Sequence, residues 1–164
     1  MARGNRHYKE NAEKRGSGQF TSIRTDVLRS EAWANTSSWG TRLIMDLAAQ
    51  YRGNNNGDLC MAWSVMKKRG WKSKDTLNRA KKELLSKKWI EVTRQGARKV
   101  ASLYALTFWA IDQCSGKLDP HICPRNKPKD TWKIGNTPPN ISEERAKEKS
   151  RKIKNSGTAI GAIT

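Results

Sequence analysis

Residues 62–88, AWSVMKKRGWKSKDTLNRAKKELLSKK, open the stretch of sequence that decides the fold. The pattern predicts a short helix over 63–69, a turn at Gly70 and a longer helix over 73–88. Ser73 is a favoured residue at the start of a helix because its hydroxyl can accept a hydrogen bond from a free backbone N–H. Two helices joined by a tight turn are therefore expected here.

Residues 89–109, WIEVTRQGARKVASLYALTFW, follow directly. Runs rich in β-branched and aromatic residues predict two strands, over 89–95 and 100–108. The link over 95–99 is short, basic and contains Gly96, which is typical of a hairpin turn. The chain thus reads as helix, turn, helix and β-hairpin, in that order.

The longer helix has two different sides. At 100° per residue, one side collects the apolar residues that we expect to face the core: Leu77, Ala80, Leu84 and Leu85. The opposite side is polar and basic: Lys72, Asp75, Asn78, Arg79 and Lys82. Lys81 falls inside the apolar arc, and we expect its stem to pass between Leu77 and Leu85 to solvent.

The charge of the chain points to a polyanionic partner. The 164 residues hold 33 Lys and Arg against 15 Asp and Glu, a net charge of +18. Residues 67–88 alone hold ten basic residues against Asp75 and Glu83. A helical face exposed to solvent usually alternates acidic and basic residues. This face has almost no acidic residues, so its positive charges repel one another unless an anionic partner covers them. Nucleic acid is the expected partner.

Other function classes find little support. No apolar run approaches the roughly 18 residues of a membrane span, and no signal peptide is recognisable, so we expect a cytoplasmic protein with reduced cysteines and no membrane partner. Cys114, His121 and Cys123 could hold zinc, but no fourth ligand completes the set and no cofactor is expected. No paired carboxylates, phosphate-binding loop or nucleophile with a histidine indicates an enzyme.

Composition divides the chain into three parts. Residues 1–19 are expected to form a flexible basic arm, and 20–112 a folded domain. Residues 113–164 hold all five prolines and are expected to form a Pro-rich basic tail, with a short charged helix around 141–154. At the start of the domain, residues 20–28 indicate a weak strand or extended lead-in.

The first half of the domain predicts two helices and a strand. Ser30 is expected to cap a short helix, and Ser37 or Ser38 to cap a longer one over 38–52. An apolar stripe marks its buried face: Leu43, Ile44, Leu47, Ala48 and Tyr51. Residues 53–58 (GNNNGD) predict a turn, not a calcium loop, because the alternating acids are missing. Residues 59–61 predict a short strand that pairs with the hairpin.

The seven tryptophans bear on the kind of nucleic acid. Aromatic rings can stack on unpaired bases, which favours single strands or RNA. Core packing is the commoner use in a small domain. Trp71 and Trp132, placed in a turn and in the tail, are the two most expected to be exposed for stacking.

Several motifs within residues 28–112 carry a resemblance: NNGDL, RGWKSKDTL, AxxELL, WI…TRQG and SLYAL. Together they resemble the winged helix-turn-helix DNA-binding proteins common on bacterial phages, plasmids and integrative elements. The resemblance implies an α+β fold with a hairpin wing, and DNA binding in transcriptional regulation or replication initiation. Many winged helices dimerise, but no heptad seam is visible, so a homodimer is left open.

Within this outline the residues take three roles. Base-reading in the major groove is expected of residue types that can contact base edges: Asp75, Asn78, Arg79 and Lys82. Phosphate contacts are expected around the turn, from Lys67, Lys68, Arg69, Lys72, Ser73 and Lys74. The wing would contact the backbone or the minor groove through Arg94, Arg98 and Lys99.

Two other functions fit the same charge. The chain could be an interaction protein that inhibits a host, phage or replication protein by binding to an acidic surface of that protein. It could also bind RNA or single-stranded DNA through the tail and exposed tryptophans. Asn78 and Arg79 on one exposed helix face favour duplex DNA, because both residue types can make two hydrogen bonds to one base edge.

Overall fold

A computed structural model describes residues 20–135 as a mixed α+β fold with one small antiparallel sheet. The elements in chain order are α1 (Thr25–Leu28), α2 (Glu31–Ala34), α3 (Ser38–Ala48), β1 (Leu59–Cys60), α4 (Trp63–Lys68), α5 (Lys74–Ser86), β2 (Ile90–Arg94), β3 (Leu103–Leu106), a 3-10 turn at Cys114–Gly116 and α6 (Trp132–Gly135). None of the helices in this range is long and apolar enough to cross a bilayer. The expected arm over 1–19 and the expected helix around 141–154 lie outside the described residues.

The sheet has the strand order β1-β3-β2, and both pairings are antiparallel. The central strand β3 is buried along its whole length. Leu59 of β1 lies opposite Tyr104, and Ile90 of β2 lies opposite Leu106. The expected hairpin and the short strand before it are therefore confirmed. The hairpin strands are shorter than predicted, and a register shift between Val92 and Arg94 interrupts the regular ladder within β2.

Serine caps begin the two helices where the sequence placed them. The Ser30 hydroxyl accepts a hydrogen bond from the Trp33 N–H at 3.1 Å, and the Ser37 hydroxyl accepts one from the Gly40 N–H at 3.0 Å. In α3 the apolar stripe faces the core, with Leu43, Ile44, Leu47 and Ala48 all buried. Both predicted helices are confirmed, although α3 ends at Ala48 and leaves Tyr51 beyond it.

The start of the domain differs from the expectation. Residues 20–28 were predicted to be extended, but Thr25–Leu28 form a helical turn in which the Arg29 N–H donates to the Thr25 carbonyl at 3.0 Å. Val27 is fully buried in this turn and joins the core. The strand prediction is therefore wrong. The segment is so short that its side chains do not distinguish the helical period from the strand period.

The two helices around the predicted turn also form. Gly70, at the end of α4, adopts a φ of +85°, a left-handed conformation that glycine reaches without strain. The Ser73 hydroxyl then caps α5 by accepting from the Thr76 N–H at 3.3 Å. The buried side of α5 carries Leu77, Ala80 and Leu84. The expected core face of this helix is confirmed.

Lys81 lies half-buried on the core side of α5, as its position in the apolar arc required. Its ammonium nitrogen is 5.8 Å from the centre of the Tyr104 ring. An ammonium group over an aromatic face gains electrostatic attraction from the ring. This contact explains how a charged residue is accommodated there.

The chain after residue 112 is packed against the domain over residues 113–134, which we call the C-terminal strap. Trp132 is 4% exposed and stacks on the core residue Trp89, with ring centres 5.1 Å apart and planes 2° from parallel. The Asp119 N–H donates to the Thr93 carbonyl at 2.9 Å, on the outer edge of β2. The expectation that the folded domain ends at residue 112 and is followed by a Pro-rich tail is therefore wrong for residues 113–134. The contacts of the strap are long-range and leave no periodicity in the sequence.

Candidate nucleic-acid interface

The solvent side of α5 carries the four residues expected to read bases. Asp75, Asn78, Arg79 and Lys82 are all exposed. Arg79 Nε lies 3.0 Å from Asp75 Oδ2, in an ion pair whose side chains are 73% and 76% exposed. Pairs this exposed contribute little, so the guanidinium can leave the pair for another acceptor at a cost of about 0.5 kcal/mol.

Asp46 on α3 fixes the turn between α4 and α5. Its carboxylate accepts from Arg69 Nε at 2.8 Å and from the Trp71 indole N–H at 2.7 Å. The Asp46 side chain is only 14% exposed, so both bonds are partly shielded from water. Arg69 was expected to contact phosphate, but in this arrangement its Nε is committed to holding the turn.

Arg42, one helical turn before Asp46, braces the same turn from α3. It donates to the Arg69 carbonyl at 3.1 Å, and its guanidinium carbon lies 5.5 Å from the Trp39 ring centre and 5.2 Å from that of Trp71. The spacing of Arg42 and Asp46 was visible in the sequence as an i, i+4 pair. Their partners 23 to 27 residues away were not, so sequence reasoning missed both residues.

Glu83 joins α5 to the start of α3. It accepts from the Ser37 N–H at 2.9 Å, from the Ser37 hydroxyl and from the Lys87 ammonium at 2.9 Å. Burial alone would raise the pKa of Glu83, but the hydrogen bonds from Ser37 and Lys87 outweigh it and hold the pKa below its ordinary value. Glu83 thereby ties α5 to the start of α3.

All the lysines around the turn face solvent. Lys67, Lys68 and Lys72 are exposed, as expected of phosphate contacts. Lys74 is also exposed, with its ammonium nitrogen 5.9 Å from the Trp63 ring centre. The Ser73 hydroxyl already accepts the capping hydrogen bond, which leaves its proton available to an anion.

At the hairpin tip, residues 95–100, two of the three expected cations face solvent. Arg98 and Lys99 are exposed, and Lys99 has a φ of +64° in the turn. Arg94 is half-buried and donates to the Ala101 carbonyl at 3.1 Å, across the hairpin. Arg94 therefore links the two sides of the hairpin. Of the three expected cations, Arg98 and Lys99 are the ones that can reach a ligand.

The tryptophans are not arranged as expected. Trp71 is 2% exposed and Trp132 is 4% exposed, so the prediction that these two are the most available for stacking is wrong. Trp39 is 48% exposed and lies 5.6 Å from Trp71, ring centre to ring centre. A small cleft of about 240 Å³ separates Trp39 from Arg79 of α5.

No arrangement typical of a metal site occurs in residues 20–135: no three His, Cys, Asp or Glu side chains there lie close enough to hold an ion. Cys114 is buried, which raises the pKa of its thiol to about 11, and Cys123 is exposed. Cys114, His121 and Cys123 are thus not brought together as a ligand set.

Comparison with protein-family models, with curated proteins and with solved structures finds no match to this chain.

Proposed function

We propose that the protein is a sequence-specific double-stranded DNA-binding protein with a winged helix-turn-helix fold. In this proposal α5 is the recognition helix, and the hairpin tip is the wing. The observation that carries it is the division of α5: Leu77, Ala80 and Leu84 are buried, while Asn78 and Arg79 project from the opposite side among exposed lysines. A helix divided in this way can enter a groove without giving up its place in the core.

The dimensions of α5 suit the major groove. Its 13 residues span about 20 Å at 1.5 Å per residue. The major groove of B-DNA is about 12 Å wide and admits an α-helix. The Arg79 guanidinium can donate two hydrogen bonds to guanine, and the Asn78 amide can bond adenine in the same way. Asp75 and Lys82 would assist from either side of these two residues.

The surroundings of α5 supply charge and rigidity. Lys67, Lys68 and Lys72 would neutralise phosphates and release counterions, which drives binding at low salt. Asp46 and Glu83 hold the turn and the helix in one geometry against α3. Pre-organisation of this kind reduces the entropy that binding must otherwise cost.

The biological role within this proposal is that of a regulator or a replication initiator of a mobile element, acting in the cytoplasm. Binding of RNA or single strands has less support, because Trp71 and Trp132 are buried. An inhibitor that acts on a protein would use the same basic face, and it is distinguished by the absence of any preferred duplex.

The test compares two single substitutions on a duplex selected from a random pool. Arg79→Ala is expected to cost about 1–3 kcal/mol and to relax preference at one base position. Lys68→Ala is expected to weaken all duplexes alike and to reduce the salt dependence. If both substitutions weaken all sequences equally, α5 does not read bases.

A further inference from the structure

A second basic surface lies on the side of α4 that sequence reasoning did not single out. A polar cleft of about 750 Å³ opens between the end of α3, the loop over 52–58, α4 and the C-terminal strap. Four cationic side chains line it: Arg52, Lys68, Arg69 and Lys117. Asp58 is its one acidic lining residue, and Lys117 already neutralises it in an ion pair.

The cleft contains hydrogen-bond donors that have no partner within residues 20–135. The guanidinium of Arg52, the ammonium of Lys68, the amide of Asn54 and the hydroxyl of Ser64 all lack one in this range. Arg69 is different, because its Nε is bonded to Asp46. Two uncompensated positive charges and two neutral donors on one concave surface match the needs of a phosphate group.

The loop that carries Arg52 and Asn54 is held in place by buried hydrogen bonds. The Asn56 side chain is fully buried, accepts from the Leu106 N–H at 2.8 Å and donates to the Leu106 carbonyl at 3.0 Å. At the surface of the same loop, the side-chain amide oxygen of Asn55 accepts a hydrogen bond from the Arg52 N–H at 2.6 Å. The backbone that carries Arg52 and Asn54 is therefore fixed, so binding has to order their side chains but not the loop itself.

We propose that this cleft binds phosphates of the DNA backbone next to the segment read by α5, and so lengthens the duplex that the protein covers. This inference rests on the proposed function. Lys68 belongs both to the cleft and to the basic turn, which makes the two surfaces continuous. A free nucleotide fits less well, because the one aromatic ring of the lining, Tyr51, is stacked on Trp109 at 4.3 Å and its hydroxyl is bonded to the Gly53 carbonyl.

The experiment measures affinity for a short duplex of about 12 base pairs and a long one of about 26 base pairs, both centred on the selected site. Arg52→Gln is the test variant. Lys127→Gln is the matched control, because Lys127 is exposed, carries the same charge and does not line the cleft. Thermal melting confirms that both variants fold.

We expect Arg52→Gln to weaken binding of the long duplex about threefold to tenfold, with little change on the short duplex and with a salt slope reduced by about one. Lys127→Gln should leave both affinities within about twofold of the parent. Equal effects of the two variants on the long duplex would overturn the proposed cleft while leaving DNA binding by α5 intact. Failure of the parent protein to bind any duplex would overturn the proposed function itself.

Inorganic phosphate and a nucleoside diphosphate provide the remaining arm, in the absence of DNA. Saturable shifts of the Asn54 side-chain amide resonances with either small anion, together with an unchanged long-duplex affinity in Arg52→Gln, would show that the cleft takes free anions and would overturn the proposal. Loss of long-duplex affinity without saturable binding of small anions would support it.

Discussion

Asp46 allows the geometry of the helical turn to be tested quantitatively. In Asp46→Ala, the buried Trp71 indole N–H loses its acceptor at 2.7 Å and Arg69 loses its partner at 2.8 Å. An unsatisfied buried donor costs about 1–3 kcal/mol. The Arg69 side chain is 34% exposed, so loss of this ion pair adds only about 0.5–1 kcal/mol. The free energy of unfolding is therefore expected to fall by about 1.5–4 kcal/mol.

Asp46→Asn provides the comparison that separates charge from hydrogen bonding. The asparagine keeps a carbonyl oxygen for Trp71 but loses the charge that attracts Arg69. We expect it to lower the free energy of unfolding by about 1 kcal/mol, clearly less than alanine does. Asp75→Ala is a suitable control, because its ion pair with Arg79 is exposed and its removal should cost less than about 1 kcal/mol.

Urea unfolding followed by tryptophan fluorescence measures all three variants with the same assay. The order alanine, then asparagine, then the Asp75 control is expected, with unchanged dependence on urea concentration. Equal small losses below about 0.5 kcal/mol in both Asp46 variants would refute the role assigned to Asp46. In that case the turn would have to be held by Arg42 and core packing alone.

Three further changes test the packing around the candidate interface. The hydrogen bonds to Glu83 hold its pKa below the ordinary value of a glutamate. The stability that its ionised form contributes is therefore present above that ordinary value and is lost as pH falls through the folded-state pKa. Glu83→Gln should accordingly destabilise the protein in urea unfolding at pH 7, and the difference from the parent should shrink as the solution is acidified through that range. A difference that is constant with pH would contradict this role. Gly40→Ala would place a Cβ 2.9 Å from a Glu83 carboxylate oxygen, so we expect a loss of about 1 kcal/mol in the same assay rather than the gain usual for this change in a helix; a more stable variant would refute the close contact. Trp132→Ala removes a ring that is stacked on Trp89. We expect it to lower the free energy of unfolding by about 3 kcal/mol, as a large-to-small core substitution does, and to lower the melting temperature accordingly. An unchanged melting temperature would mean that the strap does not pack against the domain.

Local signals in the sequence predicted much of the fold. Ser30, Ser37 and Ser73 each begin a helix, because an N-cap depends only on the next few residues. The buried stripes of α3 and α5 followed from helical periodicity in the same way. The pairing of β1 with the hairpin was also expected and is observed.

The remaining features depend on contacts between distant parts of the chain. Asp46 and Glu83 look like ordinary surface acids of helices, and only the fold shows that they hold Arg69, Trp71 and Ser37. The strap has no periodicity, so nothing local indicated that Trp132 is buried. Among the expected phosphate-binding residues, the exposure of the lysines could be predicted from the sequence. The hydrogen bond from Arg69 to Asp46, which holds the turn, could not.

The most direct test of the central claim is selection of duplexes from a random pool at physiological salt, with the parent protein and with the double variant Asn78→Ala/Arg79→Ala. We expect the parent to select a short motif and to bind it at least about a thousandfold more tightly than random duplex. The double variant should retain weak, salt-dependent binding but select no motif, because the lysines around the turn remain. If the parent selects no motif, or if the double variant selects the same one, α5 is not a recognition helix and the account is contradicted.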